Sequence, residues 1–439
     1  MTRQAIDRRK VLSASAAFTT NLFASSFQGA NNKVNAAFIG VGRMGSSNLS
    51  FAMRQENLIV SAVCDVFEPN LLKAVAATKG QGSEAKAVRD FREILADKSI
   101  DIVCIATPDH WHPYMMVEAC KAGKDVYVEK PISVTIDEGK KMVEAARKYK
   151  RVVQAGTMQR SAAHFQKATE IVKSGALGKV TFVRTWNTGL GAEAGIGNPP
   201  DEAPPSTLNW DMWTGPAQKR PYNKNRFGID LDQVEKQRWF PNFRWFWDYA
   251  GGMMTDWGIH WLDIVQMAFD EAMPTSCVAI GGKYYLKDNR ETPDTLQVTY
   301  EYPGFVATYE NRTATSLANP FERGGGITFQ GTKATMYLDR SMYRIVPERN
   351  SGVEAVEVKA TDSGNANHWK NFLDCVKTRQ KPNSDIEKCY RSTSTCHLGN
   401  IALRSKMRVD WDAQKETIVQ AEPRKYMVRE YRKPWKLTV

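Results

Sequence analysis

The sequence predicts an α/β chain in two parts, a doubly wound parallel sheet over residues 33–156 followed by an α+β domain with a large, mainly antiparallel sheet. Three observations carry this. Apolar strand-like runs alternate with amphipathic helical runs between residues 33 and 156; the apolar pattern switches to two-residue alternation near Lys179; and 439 residues are too many for one ordinary core.

Residues 1–32 stand apart. In "DRRKVLSASAAF" the paired Arg8 and Arg9 precede Val11 and Leu12, and the run that follows is only mildly apolar, with Ser13, Ser15, Thr19 and Thr20. This resembles a twin-arginine export signal, which places the mature protein in the periplasm; a disordered basic tail is the alternative. Ala24-Ser25-Ser26 and Gln28-Gly29-Ala30 are both imperfect cleavage sites, and no cysteine lies near enough for a lipid anchor. Beyond this segment no run of 18 apolar residues occurs, so no membrane insertion is expected after export.

Next comes "VNAAFIGVGRMG", an apolar strand entering Gly40, Gly42 and Gly45 with a helical run after it. The first glycine permits a tight turn, the second lets backbone approach a pyrophosphate, and the third lets helix and strand pack closely; Arg43 and Met44 belong to the same turn. A second strand, "LIVSAVCD", ends in Asp65, where a carboxylate can accept from an adenosine ribose hydroxyl. Asp65 would repel a 2′-phosphate, and Val66 and Phe67 offer no arginine to hold one. The expected cofactor is therefore NAD, with NADP less favoured.

Strands "DIVCIATP" and "KDVYVEKP" flank the helix "YMMVEACKAG", which Gly123 stops. Thr135 and Glu138 form a capping box for another helix, and "RVVQAG" closes the unit. Ligands of such sheets bind at the strand C-termini, and there lie Thr107, Pro108, His112, Glu129 and Lys130. Beyond Lys179, "KVTFVRTWN", "SCVAIGGKYYL", "DTLQVTYEY", "GFVATYENR" and "GITFQGTKATMYL" alternate as strands, with Pro303-Gly304 and Gly331 at turns. Residues 157–365 form a substrate-binding domain on this reading. Residues 366–405 read as helices, and 366–439 as a whole are expected to pack back on the two domains.

Composition excludes several classes. The net charge of +12 resides mostly at the ends, +3 in residues 1–10 and +5 in residues 404–439, so it marks a signal and a solvated tail rather than a nucleic-acid stripe. Seven cysteines without a Cys-x-x-Cys make neither a disulfide nor a zinc framework. "HWH" (110–112) lacks a carboxylate and cysteine set to complete a metal site, and no metal is expected.

These motifs together resemble the glucose-fructose oxidoreductase and inositol dehydrogenase family, Gfo/Idh/MocA. The matching residues are Gly40-x-Gly42-x-x-Gly45, Thr107-Pro108-x-x-x-His112, Glu129-Lys130-Pro131 and "GGMMTDWGIHWLD" from Gly251 to Asp263. The resemblance implies a Rossmann domain plus an open sheet whose outer face often mediates oligomers, so a homo-oligomer is expected. It also implies that His112 lies on the cofactor side and that Lys130 lies by the nicotinamide and bonds the reacting hydroxyl. The aromatic-rich "NWDMWTGPAQKRPYN" and "RWFWDYAGGMMTDWG" look like exported bacterial members, several of which act on sugars or glycosides.

The chemistry expected of the second half centres on one helix. Asp256 and His260 are four apart on a common face, with Asp263 three further on, so a carboxylate could orient the imidazole and raise its basicity for proton transfer. Lys130, His260 and Asp256 are the catalytic candidates. Seven of the twelve tryptophans fall between Trp210 and Trp261, and aromatic platforms suit the C–H faces of a carbohydrate. Trp257 and Trp261 read as core, whereas Arg160, Trp239, Arg244, Trp245 and Asp263 are substrate candidates. The function expected is oxidation of a ring hydroxyl of a sugar, polyol or glycoside by tightly bound, recycled NAD. The alternatives are a redox-neutral NAD-dependent glycosidase or lyase working through a transient ketosugar, and a non-catalytic sugar or nucleotide sensor.

Overall fold

The computed structural model describes residues 33–81, 84–189, 195–228, 242–315 and 324–439, and Val34–Val439 form one compact unit. The export-signal segment and Trp239 lie outside the described residues. None of the described helices is long and apolar enough to cross a membrane.

The first sheet has six parallel strands, β1 (Val34–Ile39), β2 (Leu58–Cys64), β3 (Lys86–Val88), β4 (Ile102–Ile105), β5 (Asp125–Val128) and β6 (Val153–Ala155), ordered β3-β2-β1-β4-β5-β6. β4 and β5 are buried at every position, which is why they read as continuous apolar runs rather than alternations. The order reverses between β1 and β4, and a crevice opens there at the strand C-termini. The helix Ile136–Lys148 starts in the capping box read from sequence: Glu138 donates its amide to Thr135 Oγ1, and its carboxylate accepts from the Thr135 amide at 3.0 Å.

The second sheet has ten strands: β7 (Val180–Thr188), β8 (Ser276–Gly282), β9 (Thr295–Tyr302), β10 (Phe305–Arg312), β11 (Gly325–Gly331), β12 (Ala334–Leu338), β13 (Met342–Pro347), β14 (Val356–Lys359), β15 (Val409–Asp412) and β16 (Thr417–Ile418). Their order is β14-β13-β12-β11-β7-β10-β9-β8-β15-β16, antiparallel but for the parallel pair β7 and β10. Alternation along β9, from buried Leu296, Val298, Tyr300 and Tyr302 to outward Gln297 and Glu301, turns one face to the core. The helix Gly258–Ala268, apolar on nearly all sides, fills the space between this face and the helix Ile386–Ser405.

The C-terminal helices cover the first sheet. Trp369, on Asn365–Thr378, stacks on Tyr127 of β5 with ring centroids 4.6 Å apart and donates its indole N–H to Asn48 Oδ1 at 3.1 Å. Arg147 pairs with Asp385, and Arg379 holds Asp125. The basic tail lies across the same domain: Arg429 and Tyr431 both reach Glu138, and Trp435 packs edge-on to Trp111 (4.9 Å) and Tyr114 (5.2 Å). All seven cysteines are free and buried.

Candidate active site

The crevice is a cleft of about 1000 Å³, counting its open mouth. Its floor comes from the glycine turn. Gly40 adopts φ +81°, and a Cβ there would lie 2.6 Å from the Thr107 amide nitrogen. At Gly45 a Cβ would lie 1.9 Å from the Gly40 carbonyl oxygen, so the helix Arg43–Ala52 packs onto the turn only because that side chain is absent. Gly42 opens this helix without a side-chain cap, which leaves first-turn amides for an anion. Asp65 ends β2 inside the cleft and accepts from the Val41 and Phe67 amides, both at 2.9 Å; burial still pushes its carboxyl up to about 6.

Gly40, Gly42, Arg43, Met44, Asp65, Thr107, Pro108, His112, Glu129 and Lys130 all line the cleft, and Gly45 supports it from below. His112 spans two loops: Nδ1 lies 2.8 Å from the Pro131 carbonyl oxygen and Nε2 2.8 Å from that of Thr107. Burial lowers its pKa to about 4, so the neutral ring donates to one of the two. Glu129, raised by burial, accepts from Asn48 at 2.8 Å; Asn48 is in turn held by Trp369. A C-terminal helix thereby fixes the loop that carries Lys130.

Lys130 reaches across to the second domain. Its Nζ donates to Asp256 Oδ1 at 2.8 Å and to the Asp256 carbonyl at 2.9 Å, and Arg244 Nε lies 2.9 Å from the same carboxylate oxygen. Burial alone would raise the Asp256 pKa, but Arg244 and Lys130 hold it well below the usual carboxylate range. Asp109, buried beside this cluster, goes the other way: burial pushes it up to about 7, with Asp256 adding to the rise against Arg244 and Lys130.

The helix expected through Asp256 and His260 is broken at Trp257, between Gly252–Asp256 and Gly258–Ala268. Asp256 consequently turns to Lys130 and Arg244, and it does not bond the His260 imidazole. Burial, and then the charges of Arg340 and Lys130, hold His260 well below its ordinary pKa, against the raised basicity expected. Burial thus favours the neutral ring, with one nitrogen carrying a proton and the other open to accept one. Gln159, missed in the sequence, donates its amide to the His260 carbonyl at 2.8 Å and accepts from Arg340 Nε at 3.0 Å.

Residues 34–157 match the family described as "Oxidoreductase family, NAD-binding Rossmann fold", and residues 161–437 match "Oxidoreductase family, C-terminal alpha/beta domain". The chain belongs to the Gfo/Idh/MocA oxidoreductase family. It is similar to the inositol 2-dehydrogenase of Salmonella typhimurium, 32% identical over 152 residues that make up 34% of this chain and 44% of that protein. A glycosyl hydrolase family 109 protein of Shewanella sp. is 33% identical over 118 residues, 26% of each chain. The chain spans less than half the length of the curated relatives it matches. Among solved structures, WlbA dehydrogenase from Bordetella pertussis in complex with NADH and UDP-GlcNAcA has a TM-score of 0.62 at 19% identity, covering 87% of this chain and 99% of that one. Levoglucosan dehydrogenase in complex with NADH and levoglucosan has a TM-score of 0.63 at 16% identity, covering 86% and 99%. Likeness at these identities is one of fold.

The Gfo/Idh/MocA site fits NAD on its own geometry: a glycine cradle that any side chain would fill, open helix amides, and Asp65 at the end of β2 without a following cation. Three substrate candidates need correction, and one core reading is met only in part. Arg160 is 2% exposed and ion-paired to Asp263 (2.8 Å) and Glu271 (2.6 Å), so Arg160 and Asp263 serve the interior and do not face the cleft. Trp245 is buried under Arg290, in the aromatic cluster beside the cleft. Trp257, read as core, is half-buried and carries Arg340 on its ring face, 4.6 Å from the centroid; Trp261 is core, as its 1% exposure shows.

Proposed function

We propose that the protein oxidises a ring hydroxyl of a sugar, polyol or glycoside, using NAD that is held tightly and recycled in place. One observation carries this reading: Lys130, at the end of β5 in the cleft, is aimed across the domains by the carboxylate of Asp256 at 2.8 Å. An ammonium fixed there can hold a substrate hydroxyl beside the cofactor turn and stabilise the developing alkoxide. NAD, when bound, supplies the hydride acceptor. Asp256 orients Lys130 and fixes the position of its Nζ, with Arg244 completing the cluster. His260, which burial keeps neutral and so able to accept, takes the hydroxyl proton as the hydride leaves.

Tight retention is supported by the tail, whose Trp435 backs Trp111 and Phe91 on the cleft wall. It also agrees with the paired Arg8 and Arg9: a folded protein exported to the periplasm carries its cofactor out, where free NAD is expected to be scarce. Self-association is supported by Val278 and Ile280, exposed at 44% and 76% on β8.

The test uses protein purified from the periplasmic fraction, which should contain NAD. Incubated with a panel of sugars and aryl glycosides, it should reduce NAD without releasing aglycone, and Lys130→Met should cut kcat about 100-fold or more while NAD stays bound. Aglycone release without net NADH favours redox-neutral cleavage. Ligand binding with neither product, unchanged in Lys130→Met, marks a sensor.

A further inference from the structure

The turn between β12 and β13, residues Asp339–Ser341, belongs to none of the motifs above, yet it places a cation beside the site. Its geometry is fixed internally. Asp339, 3% exposed, accepts from the Ser341 amide (2.7 Å), Ser341 Oγ (2.6 Å), the Met342 amide (3.0 Å) and Tyr337 Oη (2.8 Å). His164 Nε2 lies 3.0 Å from the Asp339 carbonyl oxygen and ties the turn to the helix Ala163–Lys173. With its oxygens engaged inside the turn, Asp339 is not ion-paired to its neighbour Arg340.

Arg340 therefore projects from a rigid base. Its guanidinium carbon lies over the Trp257 ring, 4.6 Å from the centroid, and the Trp257 and His260 ring centroids are 5.8 Å apart. Nε is spent on Gln159, a side chain 2% exposed that also holds the His260 carbonyl. Among the described residues neither terminal nitrogen has a partner and no carboxylate lies within ion-pairing distance; the side chain keeps exposed area, while packing of the guanidinium lowers its pKa to about 10, so that it stays charged at neutral pH. A planar guanidinium held at Nε and set over an indole presents its Nη edge as a two-point donor for an oxyanion.

We propose that Arg340 is the substrate-anchoring residue and that the substrate is an acidic sugar, its anionic group bound by the Arg340 Nη edge while a ring hydroxyl meets Lys130. The inference rests on the reading of the cleft as a sugar-oxidising site. Carboxylate and phosphoryl groups share this chemistry, and the test separates them.

Binding is read without turnover, by titrating the tryptophan fluorescence of the purified full chain, with NAD present, against D-glucuronate, D-galacturonate, glucose 6-phosphate and their neutral parents. Wild type should bind an acidic sugar at least about 10-fold more tightly than its neutral parent, and Arg340→Gln should erase that preference, a loss of about 10- to 100-fold in affinity. Arg340→Lys should restore binding of glucose 6-phosphate but not of the uronates if the anion is a phosphoryl group; failure to restore either marks a carboxylate, which needs the planar fork. Thermal melting of both variants at the wild-type temperature shows that the turn has kept its fold. A wild-type preference for neutral sugars, no charge-dependent binding anywhere in the panel, or a preference that survives Arg340→Gln overturns the proposal. Uronate binding without NADH formation would instead sink the dehydrogenase reading and leave the anchor standing.

Discussion

Asp256 Oδ1 receives Lys130 at 2.8 Å and Arg244 at 2.9 Å, and its neighbour Asp109 bears the consequence. With both cations committed to Asp256, burial keeps the Asp109 carboxyl protonated up to about pH 7. A carboxyl whose pKa is higher folded than unfolded makes the folded state bind more protons between the two values. Stability therefore falls as pH rises from about 4 to about 7 and stays lowered above that, by roughly 1–4 kcal/mol. Asp109→Asn removes the penalty. Its melting temperature should match wild type at pH 4 and exceed it by a few degrees at pH 8, by calorimetry; identical melting at both pH values would show that Asp109 is ionised at no cost. Lys130 and Asp256 were legible in the sequence because each sits in a motif. Asp109 lay unremarked inside "TPDHWHP", and Gln159 and Arg340 had no local pattern at all, since their importance comes from meeting His260 and Trp257 across distant segments.

Elements show the same division. Strands buried on both faces and strands with one wet face both leave strong apolar patterns, so β1, β2, β4 and β5 and the central strands of the second sheet could be read directly. The edge strands β3, β14 and β16 are only two to four residues long, β3 and β14 being largely unburied as well, and so carry too little periodicity to be read. The break at Trp257 was invisible for another reason: "MMTDWGIHW" keeps helical spacing throughout, and the pull of Lys130 and Arg244 on Asp256 is a tertiary contact. The glycine turn is the element whose sequence and geometry agree most closely. Gly45→Ala forces a methyl group against the Gly40 carbonyl, which is backbone and cannot swing aside. The expected cost is about 3 kcal/mol in urea unfolding, together with weaker NAD binding by titration. An unchanged unfolding midpoint would mean that the turn gives way more easily than its contacts indicate.

Across the whole molecule, the two sheets share one apolar core that runs from β1 through the helix Gly258–Ala268 to β9 and the C-terminal helices. The residues that close it come from the end of the chain: Trp369 on Tyr127, Arg379 on Asp125, Arg429 on Glu138, and Trp435 against Trp111. That residues 366–439 pack back on the domains was expected from the sequence; the contacts that hold them there were not. These contacts are single aromatic and arginine side chains that no periodicity announces.

The interior also takes in the thiols. Cys64, Cys104, Cys120, Cys277, Cys375, Cys389 and Cys396 are spread over both sheets, the helix His112–Lys121 and the helices Asn365–Thr378 and Ile386–Ser405, and burial raises the pKa of every one. Disulfide exchange needs an accessible thiolate, so an oxidising medium finds nothing to attack while the chain is folded. The cysteines thus act as a built-in tally of opening. A chromogenic disulfide reagent should register almost no thiol in the native protein and seven in guanidinium, and the order in which they appear during slow denaturation should report which of the two sheets comes apart first.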